Sequence, residues 1–360
     1  MKKTITPIIF LILLSGCTMT RNVQETKLTS WQGLGILSFE VQGNKDIPSG
    51  SQAYVSLLIR NNALGLKARD VIGRLENVEP FVFRNCTEGY VTSKDIYPVE
   101  GGCVNTALFN DNGKSYAEHH IRDLFNGEEM ELLWLIRAPT GAETAQSIFN
   151  HKIYATLNYN YSTISTVNLI AMSQTEMTRR RQEGEKWDIK GDTTNTAGDL
   201  SIDNSMTNQP MIFQTDGTNI VSPEYYLSFK IVDKGGQGNG MTAGDINVTI
   251  YIPDGIFVDP EKVIRKDYKW DCYCSNGAHL AGDTNKRACP LSSCTLLNKQ
   301  ISTGEVITES LITLPFQIDS TELNDVLIAS SIGEKTYTFY TQLDYQYRIS
   351  ADTTLKVVPI

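Results

Sequence analysis

Residues 335–349 read KTYTFYTQLDYQYRI and alternate between apolar and polar side chains. Aromatic and aliphatic residues occupy most odd positions from Tyr337 to Ile349, whereas Thr, Gln, Asp and Arg occupy most even positions. Side chains of a β-strand point alternately to opposite faces, so this period of two predicts a strand with one buried face. The stretch therefore favours an all-β fold.

The same pattern occurs twice in the chain. Tyr154–Tyr161 reads YATLNYNY and Tyr340–Tyr347 reads YTQLDYQY, so both fit Y-x-x-L-x-Y-x-Y. Each copy lies towards the end of one half of the sequence, which indicates two related domains that fold separately. The residues expected to face inward are Leu157, Tyr159, Leu343 and Tyr345.

Short alternating or apolar runs, separated by Gly-, Pro- and Asn-rich turns, predict further strands elsewhere. They are Gly35–Val41, Tyr54–Arg60, Glu129–Arg137, Ile164–Ala171, Tyr226–Val232, Ile246–Ile252, Ser310–Ile318 and Thr353–Val358. Many short strands with few helices favour sandwiches. The fold class predicted is all-β, with two tandem Ig-like antiparallel β-sandwiches joined by a short polar helix and loop.

The connection between the halves has a different composition. Ser173–Glu176 fits a capping box and predicts a short polar helix that Gly184 can end. Residues 190–209 are rich in Thr, Asn, Asp, Gly and Ser, which is typical of a surface loop. The predicted division is a signal peptide at 1–16, a lipid-anchored tether at 17–30, sandwiches at 31–172 and 210–360, and the helix and linker at 173–209.

The N-terminus has the features of an export signal. Lys2 and Lys3 precede the apolar run Ile8–Leu13, which is too short to span a bilayer, and Leu14–Cys17 follows. Leu-Ser-Gly-Cys resembles the lipobox of prokaryotic lipoproteins, which implies lipid attachment at Cys17. An uncleaved anchor and an ordinary signal peptide are the alternatives. The expected location is extracytoplasmic, anchored to the cell membrane.

Composition limits the classes of partner. The chain has 360 residues, 41% of them hydrophobic, and a formal net charge of −9. An acidic chain repels nucleic acid, so we expect no nucleic-acid partner.

The seven cysteines also agree with export. Without Cys17 an even number remains: Cys86, Cys103, Cys272, Cys274, Cys289 and Cys294. In an oxidising compartment they predict three disulfides. The last four could instead form a four-thiolate zinc site, and His279 between them could complete a metal set, but Cys-x-Cys is too tight for the usual zinc knuckle. Cys272 paired with Cys294 and Cys274 with Cys289 fits a hairpin, and a crossed pairing stays open.

Several segments resemble CARDB-like and S-layer-associated Ig-like modules of prokaryotic, often archaeal, surface proteins. They are Asp46–Gly50, Tyr54–Arg60, Asn61–Val71, Tyr226–Val232, Gly235–Gly240 and Ile246–Ile252. The resemblance extends over residues 30–170 and, more loosely, 220–360. It implies seven-strand Greek-key sandwiches that act as spacers or binding modules, without shared catalytic residues.

Other candidate sites have simpler interpretations. The pair His119–His120 lacks the partners that metal binding or base catalysis needs, and an exposed loop is the expectation. Asp192, Asp199 and Asp203 do not match the spacing of a calcium loop and are expected to be solvated. We therefore predict no metal, no cofactor and no catalytic residues.

The expected function is that of a non-catalytic, envelope-anchored surface protein, a structural or adhesive module that contacts another surface protein or a glycan. A solute-binding lipoprotein of a transporter is the alternative, although that class is usually α/β. An exported hydrolase is disfavoured, since no nucleophile and base are recognisable.

Overall fold

A computed structural model describes residues 33–43, 46–63, 65–83, 109–111, 114–141, 143, 147–185, 192–206, 210–216, 219–234, 240–264, 270–274, 279–280, 294–302, 311–319 and 334–360. These residues form an all-β fold, as predicted. Apart from residues 1–30, the chain forms one compact unit, Trp31–Ile360.

The described strands, in chain order, are β1 (Leu34–Val41), β2 (Asp46–Pro48), β3 (Gln52–Asn61), β4 (Ala68–Glu76), β5 (Val82–Phe83), β6 (Phe109–Asp111), β7 (Lys114–Leu124), β8 (Glu129–Arg137), β9 (Phe149–Ser173), β10 (Asp192–Asn195), β11 (Leu200–Met206), β12 (Met211–Asp216), β13 (Asn219–Val221), β14 (Tyr225–Asp233), β15 (Met241–Thr242), β16 (Ile246–Tyr251), β17 (Ile256–Phe257), β18 (Asp271–Cys274), β19 (His279–Leu280), β20 (Cys294–Ile301), β21 (Leu311–Ile318) and β22 (Glu334–Val358). The described helices are α1 (Gln174–Gln182) and α2 (Pro260–Ile264).

The centre of the fold is the antiparallel pair formed by β9 and β22, each 25 residues long. The two tyrosine-rich repeats lie on these strands and pair with each other, with Tyr159 opposite Tyr347 and Tyr161 opposite Tyr345. The register continues without a shift from Phe149 to Met172. The first repeat, Tyr154–Tyr161, and the strand predicted at Ile164–Ala171 are therefore parts of one strand, since no turn residue interrupts the alternation.

The described strands form three sheets around this pair. A fourteen-stranded sheet contains β9 and β22, with β4 and β7 on the β9 side and β16, β20 and β18 on the β22 side. Two four-stranded sheets have the orders β1-β3-β8-β5 and β11-β14-β21-β17.

Each four-stranded sheet packs on a different part of the large sheet. In the first half, the rings of His119 in β7 and Trp134 in β8 lie 4.8 Å apart. In the second half, the rings of Phe316 in β21 and Phe339 in β22 lie 5.3 Å apart. Each half is therefore a β-sandwich, and the two sandwiches share one sheet.

The inward-facing residues of both repeats are those predicted. Leu157, Tyr159 and Leu343 are fully buried, and Tyr345 is 4% exposed. Burying these side chains removes apolar surface from water, the dominant stabilising term in folding. The separate folding of residues 31–172 and 210–360 stays a prediction. The shared strand pair gives a physical reason to expect instead that the two sandwiches unfold together.

The predicted helix is confirmed as α1. The Oγ atom of Ser173 accepts a hydrogen bond from the backbone N–H of Glu176 at 3.2 Å, which caps the helix. Arg179 and Arg180 form ion pairs with Glu176. These two arginines thus belong to a helix face with acidic neighbours.

The predicted surface loop after this helix is wrong for residues 192–195 and 200–206. They form β10, which pairs with β9, and β11, which pairs with β14. Leu200, Ile202 and Met206 alternate along β11 and are buried. This short run has enough apolar side chains to complete a sheet, although the composition around it is polar.

Candidate functional site

A groove crosses the solvent-facing side of the central strand pair where Asn160 lies opposite Gln346. These two residues are separated along the sequence by the same interval as the two repeats. The repeats are therefore related by an approximate two-fold axis through this pair, and the groove lies on that axis. Its volume is about 1260 Å³.

The floor of the groove is polar because of the same alternation that forms the core. Odd-numbered residues of β9 and β22 near the axis face the interior, and the even-numbered residues face solvent. The even-numbered lining residues are Asn160, Ser162, Gln342, Asp344 and Gln346.

The walls come from both halves of the chain. The first half contributes Gly65, Leu66 and Lys67 before β4 and Arg69 and Asp70 within it. Phe125 and Asn126, from the turn after β7, complete this wall. The second half contributes Gly244, Asp245 and Asn247 at the start of β16, and Gln300 from β20. A complete groove thus requires both sandwiches.

Asp70 lies in a strained backbone conformation at the groove. Its φ is 48°, a left-handed value that is uncommon outside glycine, and the register between β4 and β9 shifts from Arg69 to Ile72. Such bulges redirect side chains and are frequent beside functional sites. The Nδ2 atom of Asn160 donates a hydrogen bond to Oδ2 of Asp70 at 3.0 Å.

The carboxylates of the second half are also held by neutral donors. Nε2 of Gln342 lies 2.9 Å from both carboxylate oxygens of Asp344, and the Ser162 hydroxyl donates to Oδ1 of the same group. Nε2 of Gln300 donates to Oδ2 of Asp245 at 2.8 Å. These contacts fix the side chains before any ligand arrives.

The basic groups at the rim are partly neutralised. Nζ of Lys67 lies 3.0 Å from Oδ1 of Asp123 and 5.8 Å from the centre of the Phe125 ring. Phe125 is 59% exposed, so the wall presents apolar surface beside the polar floor.

A cluster of four tyrosines lies beneath the floor. The rings of Tyr159 and Tyr347 are 5.9 Å apart, and those of Tyr161 and Tyr345 are 6.1 Å apart. Within each strand, the two rings are in edge-to-face contact at 6.2 and 6.3 Å. The cluster joins the two halves directly under the groove.

Asp199 is buried at the edge of this cluster. The Tyr159 hydroxyl donates to Oδ2 of Asp199 at 2.9 Å, and the backbone N–H of Asp199 donates to the Tyr345 hydroxyl at 3.1 Å. Oδ1 of Asp199 has no hydrogen-bond partner among the described residues, and a Cβ atom on Gly33 would lie 2.2 Å from it. Only glycine fits at residue 33 without displacing this carboxyl group.

Burial raises the pKa of Asp199 from 3.8 to about 7. The hydrogen bond from Tyr159 acts in the opposite direction, and the nearby charge of Asp233 adds to the rise. Burial also raises the pKa of Tyr345 well above its usual range. A polar group with this little solvation is costly unless it is neutral, so the carboxyl is mostly protonated below neutral pH.

The structure places the cysteines of β18 and β20 together. Cys272 and Cys294 form a disulfide, which is part of the nested pairing, and Cys274 is disulfide-bonded as well. Cys17, Cys86, Cys103 and Cys289 lie outside the described residues. Among the residues that are described, no cluster of three or more His, Cys, Asp or Glu side chains could hold a metal ion.

The expectation of a histidine pair in an exposed loop is wrong for the loop and for His119, whereas His120 is exposed as expected. His119 and His120 lie in β7, and Nε2 of His119 is 2.9 Å from the carbonyl oxygen of Leu133. Burial lowers the pKa of His119 to about 4, so this ring is a neutral core residue. The expectation that Asp199 is solvated is also wrong, since it is 2% exposed, whereas Asp203 is exposed.

Sequence reasoning did not identify the groove residues. A signal was present, since Asn160, Asp344 and Gln346 are polar positions inside the two repeats. The pairing of the repeats with each other brings these positions together, and that pairing depends on tertiary structure.

The described helices have nine and five residues, so neither could cross a bilayer. No family model matches the sequence. No curated protein matches it either.

The chain is distantly similar to several solved structures, of which three are described. The C-terminal globular domain of an oligosaccharyltransferase from Pyrococcus abyssi is 9% identical, with a TM-score of 0.23 over 89% of this chain and 49% of that one. The chain thus spans about half of that domain's length. A protein described as membrane-anchored from Corynebacterium diphtheriae is 7% identical, with a TM-score of 0.17 over 86% and 82% of the two chains. The collagen-binding domain of a surface protein from Erysipelothrix rhusiopathiae is 9% identical, with a TM-score of 0.10 over 91% and 94%. Similarities this weak carry no argument about function.

Proposed function

We propose that this protein is a non-catalytic, envelope-anchored surface protein that acts as an adhesive β-sandwich module and binds its ligand in the polar groove. The observation that carries the proposal is the groove itself, whose floor and walls come from both sandwiches and whose side chains hold one another in place. Concave sites with a few fixed polar groups are the usual binding sites of proteins.

Two features support an extracytoplasmic location. The sequence Leu14–Cys17 resembles a lipobox, and Cys272 is bonded to Cys294. Disulfides form and persist mainly in oxidising compartments. Attachment through Cys17 is part of the proposal.

The side chains of the groove support binding rather than catalysis. Of the described residues that line it, none is a histidine or a cysteine, and the Ser162 hydroxyl donates to Asp344. A general base in catalysis is most often a histidine, and the Asp344 carboxylate is instead held by Gln342 and Ser162 as a hydrogen-bond acceptor. The solute-binding alternative has no specific observation in its favour.

The test uses the full chain in detergent and envelope fragments from cells that express it, immobilised on an optical sensor. We expect saturable binding that falls at least about tenfold in Gln346→Ala, a change at the centre of the groove. The matched control is Asn150→Ala, an exposed amide on β9 outside the groove. The absence of saturable binding, or equal loss in both variants, would contradict the proposal.

A further inference from the structure

We infer that the groove binds a neutral oligosaccharide. This inference rests on the proposed adhesive function and specifies its ligand class. Four observations lead to it: the size, the hydrogen-bonding groups and the charge of the groove, and the exposed aromatic rings in its wall and beside it.

The size of the groove favours a chain of several sugar units. Its volume is about 1260 Å³, whereas sites for single small molecules usually measure about 300–1,000 Å³. An oligosaccharide occupies such a space in one extended molecule and can contact the walls from both sandwiches at once.

The hydrogen-bonding groups match the hydroxyls of a sugar. Asn160, Gln342 and Gln346 carry side-chain amides, which both donate and accept, and Asp70 and Asp344 carry carboxylates, which accept. An ionised carboxylate has about four lone-pair positions, so each retains acceptor capacity beyond its bonds within the protein. Sugar hydroxyls also donate and accept, and a run of them can satisfy this mixed set.

The charge of the lining disfavours an anionic ligand. Asp70, Asp245 and Asp344 face the groove with Lys67 and Arg69. Lys67 is already paired with Asp123. A phosphate, sulfate or uronate would meet more negative charge in the groove than positive charge that is available to pair with it. We therefore expect an uncharged ligand.

Exposed aromatic rings provide apolar surface for the C–H faces of sugar rings. Phe125 lies in the wall of the groove. Tyr340, which is 50% exposed, is outside the residues that line the groove and lies on the same face of β22 as Gln342 and Asp344. Tyr251 is 44% exposed and lies directly opposite Tyr340 on β16. Flat, rigid aromatic side chains contribute much contact area at low entropic cost.

The experiment measures binding of the full chain in detergent to neutral hexasaccharides of glucose, mannose, galactose and N-acetylglucosamine by isothermal titration calorimetry. We expect at least one hexasaccharide to bind, and the affinity to fall about tenfold or more in Phe125→Ala and in Gln346→Ala. The matched controls are Tyr54→Ala, an exposed aromatic outside the groove, and Asn150→Ala. Both should bind within about twofold of the wild type.

Two results would overturn the inference: no binding of any of the four hexasaccharides, or equal losses in groove and control variants. A second measurement distinguishes failure of the oligosaccharide inference from failure of the adhesive function. It compares binding to envelope fragments after treatment with periodate and after treatment with protease. Binding that resists periodate and is lost after protease treatment identifies a protein ligand, so the oligosaccharide inference fails and the adhesive function stands. If neither the hexasaccharides nor the untreated fragments bind, both fail.

Discussion

Replacement of Asp199 by asparagine should make the protein more stable at neutral and alkaline pH. In the folded protein the pKa of Asp199 is about 7, compared with 3.8 as the ordinary value. At a pH between these two pKa values, the Asp199 carboxyl therefore keeps its proton in the folded state, whereas in the unfolded chain it has lost it. Unfolding releases this proton, so the contribution of Asp199 to stability falls as pH rises from about 4 to about 7. An asparagine at this position would carry no charge and would keep an oxygen to accept from Tyr159.

The magnitude follows from the two pKa values. One pKa unit corresponds to about 1.36 kcal/mol. Between acidic pH and pH 8, the unfolding free energy of the wild type therefore falls by about 4 kcal/mol relative to that of the variant. This is a large fraction of the total stability of an ordinary domain, about 5–15 kcal/mol. Oδ1 has no hydrogen-bond partner among the described residues, and entry of water beside it would reduce the value, so about 4 kcal/mol is an upper estimate.

The assay is urea denaturation of wild type and Asp199→Asn at pH 4.5, 6 and 8, followed by tryptophan fluorescence. We expect the difference in unfolding free energy to be small at pH 4.5 and to grow as pH rises. Other carboxylates titrate in both proteins, so their contributions cancel in this difference. Asp203→Asn, an exposed change on β11, should give no such growth. A difference that stays constant with pH would refute the assignment of a buried, protonated carboxyl.

The anchor, the core and the cysteines each lead to a further prediction. Cys17→Ser should release the mature protein from membranes or stall the precursor, and full membrane partitioning with normal processing after this change would exclude lipid attachment. Leu343→Ala should cost about 2–5 kcal/mol; because Leu343 lies in the shared strand pair, calorimetry should show one transition lowered as a whole. Two resistant fragments after trypsin cleavage near residues 179–190, with only the second domain destabilised, would instead support separately folding sandwiches. Intact mass after alkylation without reductant should show three disulfides, and four free thiols with one bound zinc would reject that count for the Cys272–Cys294 cluster.

The local sequence determined most of the strands. Alternation of apolar and polar residues over Tyr154–Tyr161 and Tyr340–Tyr347 identified both repeats and the buried side of each. The capping box at Ser173 identified α1. The alternation reflects the local geometry of the strand backbone, and the cap is a hydrogen bond between residues three positions apart, so a sequence pattern records both directly.

Only the tertiary structure decided how the halves are joined. Nothing in either repeat specifies that Tyr159 pairs with Tyr347, because the same alternation would suit any neighbouring strand. The burial of Asp199 depends on the same contact, since its neighbours Tyr159 and Tyr345 come from different halves. The groove likewise exists only where Asn160 meets Gln346. Sequence alone determined which face of each strand is buried, and long-range pairing determined which polar residues lie together on the other face.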